Sequence, residues 1–286
     1  MKTKIKILLL ALTLVLAFIA LKTNKEKVLT LNLHFNESTL PYGDGVLIAN
    51  FGSDELNPLN QEGKGYIAYL KEGKISTFIP ATGALNAPKG MMVLNDTLYV
   101  CDVNKLVVFD LKTKENIKNI IFPEGELYLN DIAECDDKIY VSVTNSGNIF
   151  SLNKADLAPT LWHNTPGANG ILISENSMFV ASYPANGVTS SENVIYKIES
   201  LENPQNQMFI QTPGQWDGLA ISDDKQTLYA SNWSPAELYK IDINTKKIDK
   251  LKFKTSFVGA ADFSLINGKL YVPDLVNSTL IIKEVN

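Results

Sequence analysis

One recurring pattern limits what this chain can fold into more than any other feature. It is a polar turn followed by a short apolar strand centred, in most copies, on an aromatic residue. Leu98-Tyr99-Val100 follows Asn95-Asp96, Ile139-Tyr140-Val141 follows Asp136-Asp137, and Met178-Phe179-Val180 follows Glu175-Asn176. Leu228-Tyr229-Ala230 follows Asp223-Asp224, Leu270-Tyr271-Val272 follows Asn267-Gly268, and Val46-Leu47-Ile48 after Gly43-Asp44-Gly45 makes a sixth copy. The copies recur every 39 to 52 residues. A period of that size with several short strands per unit cannot bury its apolar faces unit by unit, and it predicts a β-propeller.

Within each unit a third strand follows, as at Lys105 to Leu111, Asn148 to Asn153, Val194 to Ile198, Glu237 to Ile243 and Thr279 to Glu284. Alternation and β-branched enrichment support the assignment. The expected fold is all-β, a six-bladed propeller over residues 28–286. The last unit stops after its third strand, while Lys27 to His34 is an unassigned alternating stretch. That stretch is expected to supply the fourth strand of the last blade, closing the ring and removing an exposed edge.

Residues 1–27 read differently. Lys2, Lys4 and Lys6 precede an apolar run from Ile7 to Leu21, and Lys22, Lys25 and Lys27 follow it. The run suits an export signal or a short membrane anchor. The rest of the chain is therefore expected outside the cytoplasm, exported (periplasmic) or tethered, with the membrane touched only through this segment. A disulfide between Cys101 and Cys135 is permitted there, but their spacing matches no metal motif and two unbonded, buried thiols are expected. A net charge of −5 and the absence of any Arg argue against nucleic acid as a partner. A monomer is expected.

The starts of the inner strands are unusually polar: Glu37-Ser38, Pro88-Lys89-Gly90, Asn130-Asp131, Asn169-Gly170, Asp217-Gly218 and Ala261-Asp262. Asn, Asp and Gly at strand starts also serve as turn residues that satisfy their own backbone. In a propeller, however, equivalent inner-strand starts converge on the central channel, and converging carboxylates and amides need a cation. Glu37, Asn130, Asn169 and Asp217 form an all-oxygen set with two negative charges. Such a set suits a hard divalent cation, Ca²⁺ before Mg²⁺, Mn²⁺ or Zn²⁺.

The stretches L-N-D-I-A at 129–133, A-N-G-I-L at 168–172, W-D-G-L-A at 216–220 and A-P-K-G-M at 87–91 carry a resemblance. In this order and spacing the chain, from about residue 35 to 286, resembles the senescence marker protein, gluconolactonase and luciferin-regenerating enzyme family of six-bladed propellers. The resemblance implies one divalent metal held at the channel mouth by Glu37, Asn130, Asn169 and Asp217, with Glu55 and Glu62 as competitors for the first position. It also implies hydrolysis of a lactone or related ester, with Asp217 as both ligand and base and Asp131 supporting it.

Sugar-lactone members place an Arg two residues before the first ligand Asn; here that residue is Tyr128. Lys89 is the candidate for a positive charge near the mouth. Tyr128, Trp162, Tyr183, Trp216 and Trp233 are candidates for an aromatic wall around the substrate, each with packing between blades as the alternative. The only histidines are His34 and His163, so a paraoxonase-type dyad has no equivalent. His163, ahead of the third ligand, is a candidate substrate contact. The rival function is a non-catalytic recognition propeller of the NHL type, binding a protein or glycan.

Overall fold

The computed structural model describes residues 25–285, so most of the expected leader lies outside the described residues. The chain forms six antiparallel four-stranded sheets, and no helix is present among the described residues. Each sheet is a blade whose strands follow one another outward from the channel, except in the last. There the outermost strand is Glu26–Leu29, from the other end of the chain, paired antiparallel with Thr279–Glu284. The expected closure is therefore present, but it begins at Glu26 and stops at Leu29. Asn32 and Phe35 then adopt positive φ of 61° and 51°, which bends the chain inward to the first blade and ends the alternating stretch early.

The expected polar turns close the hairpins between first and second strands. Gly43, Asn95, Asp136, Glu175 and Asn267 all have positive φ there, a backbone state for which Gly, Asn and Asp are best suited. The aromatic-centred triplets form the second strands and are almost wholly buried. Their side chains feed a circuit of apolar cores, each shared by consecutive blades. One joins Leu47, Ile67 and Ile79 of the first blade to Leu98, Val100 and Phe109 of the second. Another joins Val46, Ile48 and Leu70 of the first blade to Leu280 of the last, with Leu29 packed against it. Stability thus resides between blades, and the ring holds only if it is closed.

A second repeat governs how the chain enters each inner strand. At or just after the end of the second strand, one polar side chain grips the incoming loop. Asn50 accepts from His34 N, Asn232 accepts from Gln215 N, and Asp274 accepts from Gly259 N. Asp102 accepts from Asn86 N and Ala87 N, and Ser182 donates to the Pro166 carbonyl. In the third blade Asn145 does this work for Leu127 N and Tyr128 N. These bonds satisfy backbone groups that the sheet cannot reach, and they fix where each inner strand begins.

Cys101 is buried and Cys135 is half-buried, and neither is bonded. Cys135 is less buried than expected because it ends its strand beside the hairpin turn.

Candidate functional site

Every inner strand carries the same irregularity at its start. In the third blade Leu129 opposes Val143 and Ile132 opposes Val141, so Asn130 and Asp131 stand where the partner strand has one residue. The same extra residue occurs in the first, second, fourth and fifth blades. In the sixth, Ala260 opposes Asp274 and Ser264 opposes Tyr271, again one residue in excess. A bulge of this kind re-aims side chains that a regular pleat would send to the sheet faces.

The repeated bulge produces two rings. The upper ring is Glu37, Lys89, Asn130, Asn169, Asp217 and Ala261, and all six line a single cavity of about 250 Å³ at the channel mouth. The lower ring is Ser38, Gly90, Asp131, Gly170, Gly218 and Asp262. Its glycines are sites of close approach: a Cβ on Gly90 would fall 2.6 Å from Asp131 Oδ1, and one on Gly218 would fall 2.4 Å from Asp262 Oδ1. Cross-blade bonds fasten the rings. Ser38 donates to the Lys89 carbonyl, Ser142 to the Asn169 carbonyl, and Ile171 N to Asp131 Oδ2 at 2.7 Å.

The four expected cation ligands are thus brought together. Glu37, Asn130, Asn169 and Asp217 are each at most 7% exposed. Glu37 Oε2, Asn169 Oδ1 and Asp217 Oδ1 are buried with no hydrogen-bond partner among the described residues. Orphaned buried oxygens are costly, at about 1–3 kcal/mol each, and three around one cavity are what a bound cation would satisfy. Among the described residues no three His, Cys, Asp or Glu side chains form a metal cluster by themselves. The candidate set is half amide, and amide and carboxylate oxygens together fit a hard cation. The competitors Glu55 and Glu62 lie outside the cavity; Glu62 is exposed and pairs with Lys64 at 3.0 Å.

The electrostatics lean the same way. Burial, then the charge of Asp217, holds the Glu37 carboxyl well above the usual carboxylate range. Burial, then Asp131, pushes Asp217 up to about 7. Asp131 is pushed up to about 6 by burial against the opposing pull of the Ile171 and Ile132 amides. Asp262, which the sequence reading did not place in the site, is also held well above its ordinary range by burial and by its neighbours' charges. Four acids around one channel cannot all ionise without a counter-charge.

Lys89 is the one cation in the ring. Burial lowers its ammonium pKa against the pull of Glu37. Its Nζ donates to the carbonyls of Pro58 and Ala87, both at 3.0 Å, and lies over the rings of Phe51 and Tyr128. Two of its three N–H donors are therefore spent on the protein, and one is left for a ligand.

The wall around the ring is Phe51, Leu56, Pro58, Tyr128, Tyr183, Trp233 and Leu275. Tyr128, Tyr183 and Trp233 were anticipated as wall candidates; Phe51, Leu56, Pro58 and Leu275 come from loops whose convergence no local pattern announces. Burial raises both phenols, Tyr183 to about 12, so both remain protonated donors. Two expected substrate contacts lie elsewhere. Trp216 starts the strand that carries Asp217, but its ring packs in the core between the fourth and fifth blades and its Nε1 donates to the Thr212 carbonyl. His163 sits on the outermost strand of the third blade, bonded to Asn206. Trp162 is likewise an interblade residue, stacked edge-on with Tyr140. Neighbours of a ligand in sequence alternate in direction along a strand, which is why proximity in the chain misled for Trp216.

Fold and site together define a six-bladed β-propeller with a polar ring across the mouth of its channel. No protein-family model and no curated protein sequence matches the chain. Among solved structures it is similar to selenomethionine-substituted virginiamycin B lyase from Staphylococcus aureus. The two share 16% identity with a TM-score of 0.59, covering 87% of this chain and 82% of the lyase chain. The catalytically inactive variant of that lyase, with quinupristin, aligns at 12% identity and a TM-score of 0.61, covering 92% and 99%. Identities at this level establish a shared propeller architecture and nothing about the reaction.

Proposed function

We propose that the chain is a divalent-cation-dependent hydrolase of the gluconolactonase type, acting on a lactone or related ester at the channel mouth. The observation that carries this reading is the convergence of three unpartnered buried oxygens, on Glu37, Asn169 and Asp217, around one cavity with Asn130. A cation held by these four residues, Ca²⁺ first by the hardness of the donors, supplies a Lewis acid for an ester carbonyl.

The chain's own residues supply the rest. Asp217 faces the cavity with an oxygen free to accept a proton. Asp131 is a positioning residue: both its oxygens are held by backbone amides, and it lies beneath Asn130 in the lower ring. The remaining Lys89 donor and the Tyr128 and Tyr183 hydroxyls can orient a carbonyl-bearing ligand against the apolar wall, the arrangement small-molecule sites use. With a single lysine in the ring and no arginine, the ligand's reacting end carries at most modest negative charge.

The reading places the protein outside the cytoplasm as a monomer, tethered or exported by residues 1–27. It is tested by turnover of a panel of aliphatic γ- and δ-lactones and simple esters by the full-length protein with Ca²⁺. Asp217→Asn should abolish turnover while circular dichroism stays unchanged. A wild-type protein that turns over no member of the panel, with its cation bound, would favour a recognition propeller instead.

A further inference from the structure

A second concavity, of about 330 Å³, lies on the same face beside the first, and the two share Tyr183. Its lining comes from Thr144, Asn145, Ser146 and Gly147 in the turn after the second strand of the third blade, from Gly167, and from parts of the long fourth-blade loop that starts at Tyr183, without Glu192. None of the lining residues is charged, and the one large aliphatic among them is Val188 at the outer edge. Two of the lining residues must be glycine: a Cβ on Gly147 would meet the Thr165 carbonyl oxygen at 2.6 Å, and one on Gly167 the Tyr183 carbonyl oxygen at 2.2 Å.

One polar group in this groove points to a ligand. Thr144 is 2% exposed and lines the groove, yet its Oγ1 has no hydrogen-bond partner among the described residues. The nearby polar side chains are committed to the protein: Asn145 caps Leu127 and Tyr128, Ser146 donates to Glu126, and Asn193 accepts from Ser190. Thr144 is also tied to the catalytic cavity, because its amide donates to the Tyr128 carbonyl at 2.9 Å. Tyr183, which lines both cavities, and Thr144, bonded to the Tyr128 main chain, thus link the ring to the groove.

We infer that this groove is a subsite for a neutral, hydroxyl-rich substituent of the substrate, of the glycosyl or polyol class. The unpartnered Thr144 hydroxyl and the remaining hydrogen-bonding capacity of the uncharged lining groups match ring hydroxyls. Tyr183 offers a face against which a sugar ring packs. A charged group would find no charged side chain in the lining, the nearby Glu126 carboxylate being held by Ser146 and Asn148, and an aliphatic chain would find only Val188. The inference deepens the hydrolase reading and rests on it for the position of the scissile ester.

The test is titration of chitobiose and maltose into the full-length protein, followed through backbone amide signals of Gly147 and Gly167. Wild type should bind at least one of them weakly with shifts at both amides. Thr144→Val should weaken binding by about fivefold, the worth of one hydrogen bond, and Ala185→Trp, which fills the groove from an exposed position, should abolish it. Turnover of p-nitrophenyl acetate, too small to reach the groove, should survive both variants. Absence of amide shifts, equal affinity in all three proteins, or binding of a neutral tripeptide in place of the sugars would overturn the subsite. Intact sugar binding without any ester turnover would count against the hydrolase reading alone.

Discussion

Gly170 of the fourth blade lies directly against the main chain of Asp217 of the fifth: a Cβ on Gly170 would fall 2.1 Å from the Asp217 carbonyl oxygen. The obstructing atom is backbone and cannot rotate away. Gly170→Ala should therefore part the two inner strands, destabilising the protein by about 2 kcal/mol as overpacking does. It should also weaken cation binding, because Asn169 and Asp217 move with those strands. Thermal melts with and without Ca²⁺ read both effects.

The closing strand is latched to the last blade by a buried ion pair. Glu26 and Lys283 approach to 3.6 Å with side chains 3% and 4% exposed. Glu26 also accepts from the amides of Lys254 and Thr255, and Lys283 lies over the Phe253 ring. Glu26→Gln leaves the ammonium buried without its partner and should cost about 3 kcal/mol. Adding Lys283→Met should recover much of it. Burial pushes the Glu26 carboxyl up, but the two amides and Lys283 outweigh it and hold it below the usual range. Its contribution is therefore complete at neutral pH and lost as pH falls below the ordinary carboxylate range.

The channel acids give the opposite slope. With Asp217 raised to about 7 and Asp131 to about 6, the cation-free native state holds protons that the unfolded chain has already released. Stability of chelator-treated protein should therefore fall as pH rises from about 4 toward 7. Ca²⁺ should raise the melting temperature more at pH 7.5 than at pH 5, since protons and cation compete for the same oxygens. A cation effect independent of pH would contradict the assignment.

In the proposed site Lys89 would oppose a cation by like charge from within the same ring. Lys89→Met should tighten Ca²⁺ binding several-fold while weakening the substrate, seen as a higher KM with carbonyl-bearing esters. Unchanged values of both constants would remove Lys89 from the site.

Much of this molecule was legible in its sequence because the propeller repeats itself. The aromatic triplets mark second strands, and the polar pairs at inner-strand starts mark the channel, so the convergence of Glu37, Asn130, Asn169 and Asp217 on one cavity was legible in the chain. The bulge was not legible: a single extra residue leaves no signature beyond the short polar pair, and only the register reveals it. Asp262 was legible as an inner-strand start but not as a member of the acidic cluster, because Ala261 ahead of it brings no side-chain oxygen to the ring. The closing strand was placed in the right blade but begins at Glu26, since Glu and Lys there resemble the end of a leader more than a buried latch. Phe51, Leu56 and Leu275 meet at the cavity only because three loops converge.

The central claim is that the ring holds one divalent cation. Calorimetric titration of Ca²⁺ into chelator-stripped full-length protein, beside Asn169→Ala, tests it most directly. The account predicts a single site in wild type that is lost in the variant. Absence of binding by Ca²⁺, Mg²⁺, Mn²⁺ and Zn²⁺ alike, or binding that Asn169→Ala leaves untouched, would contradict it.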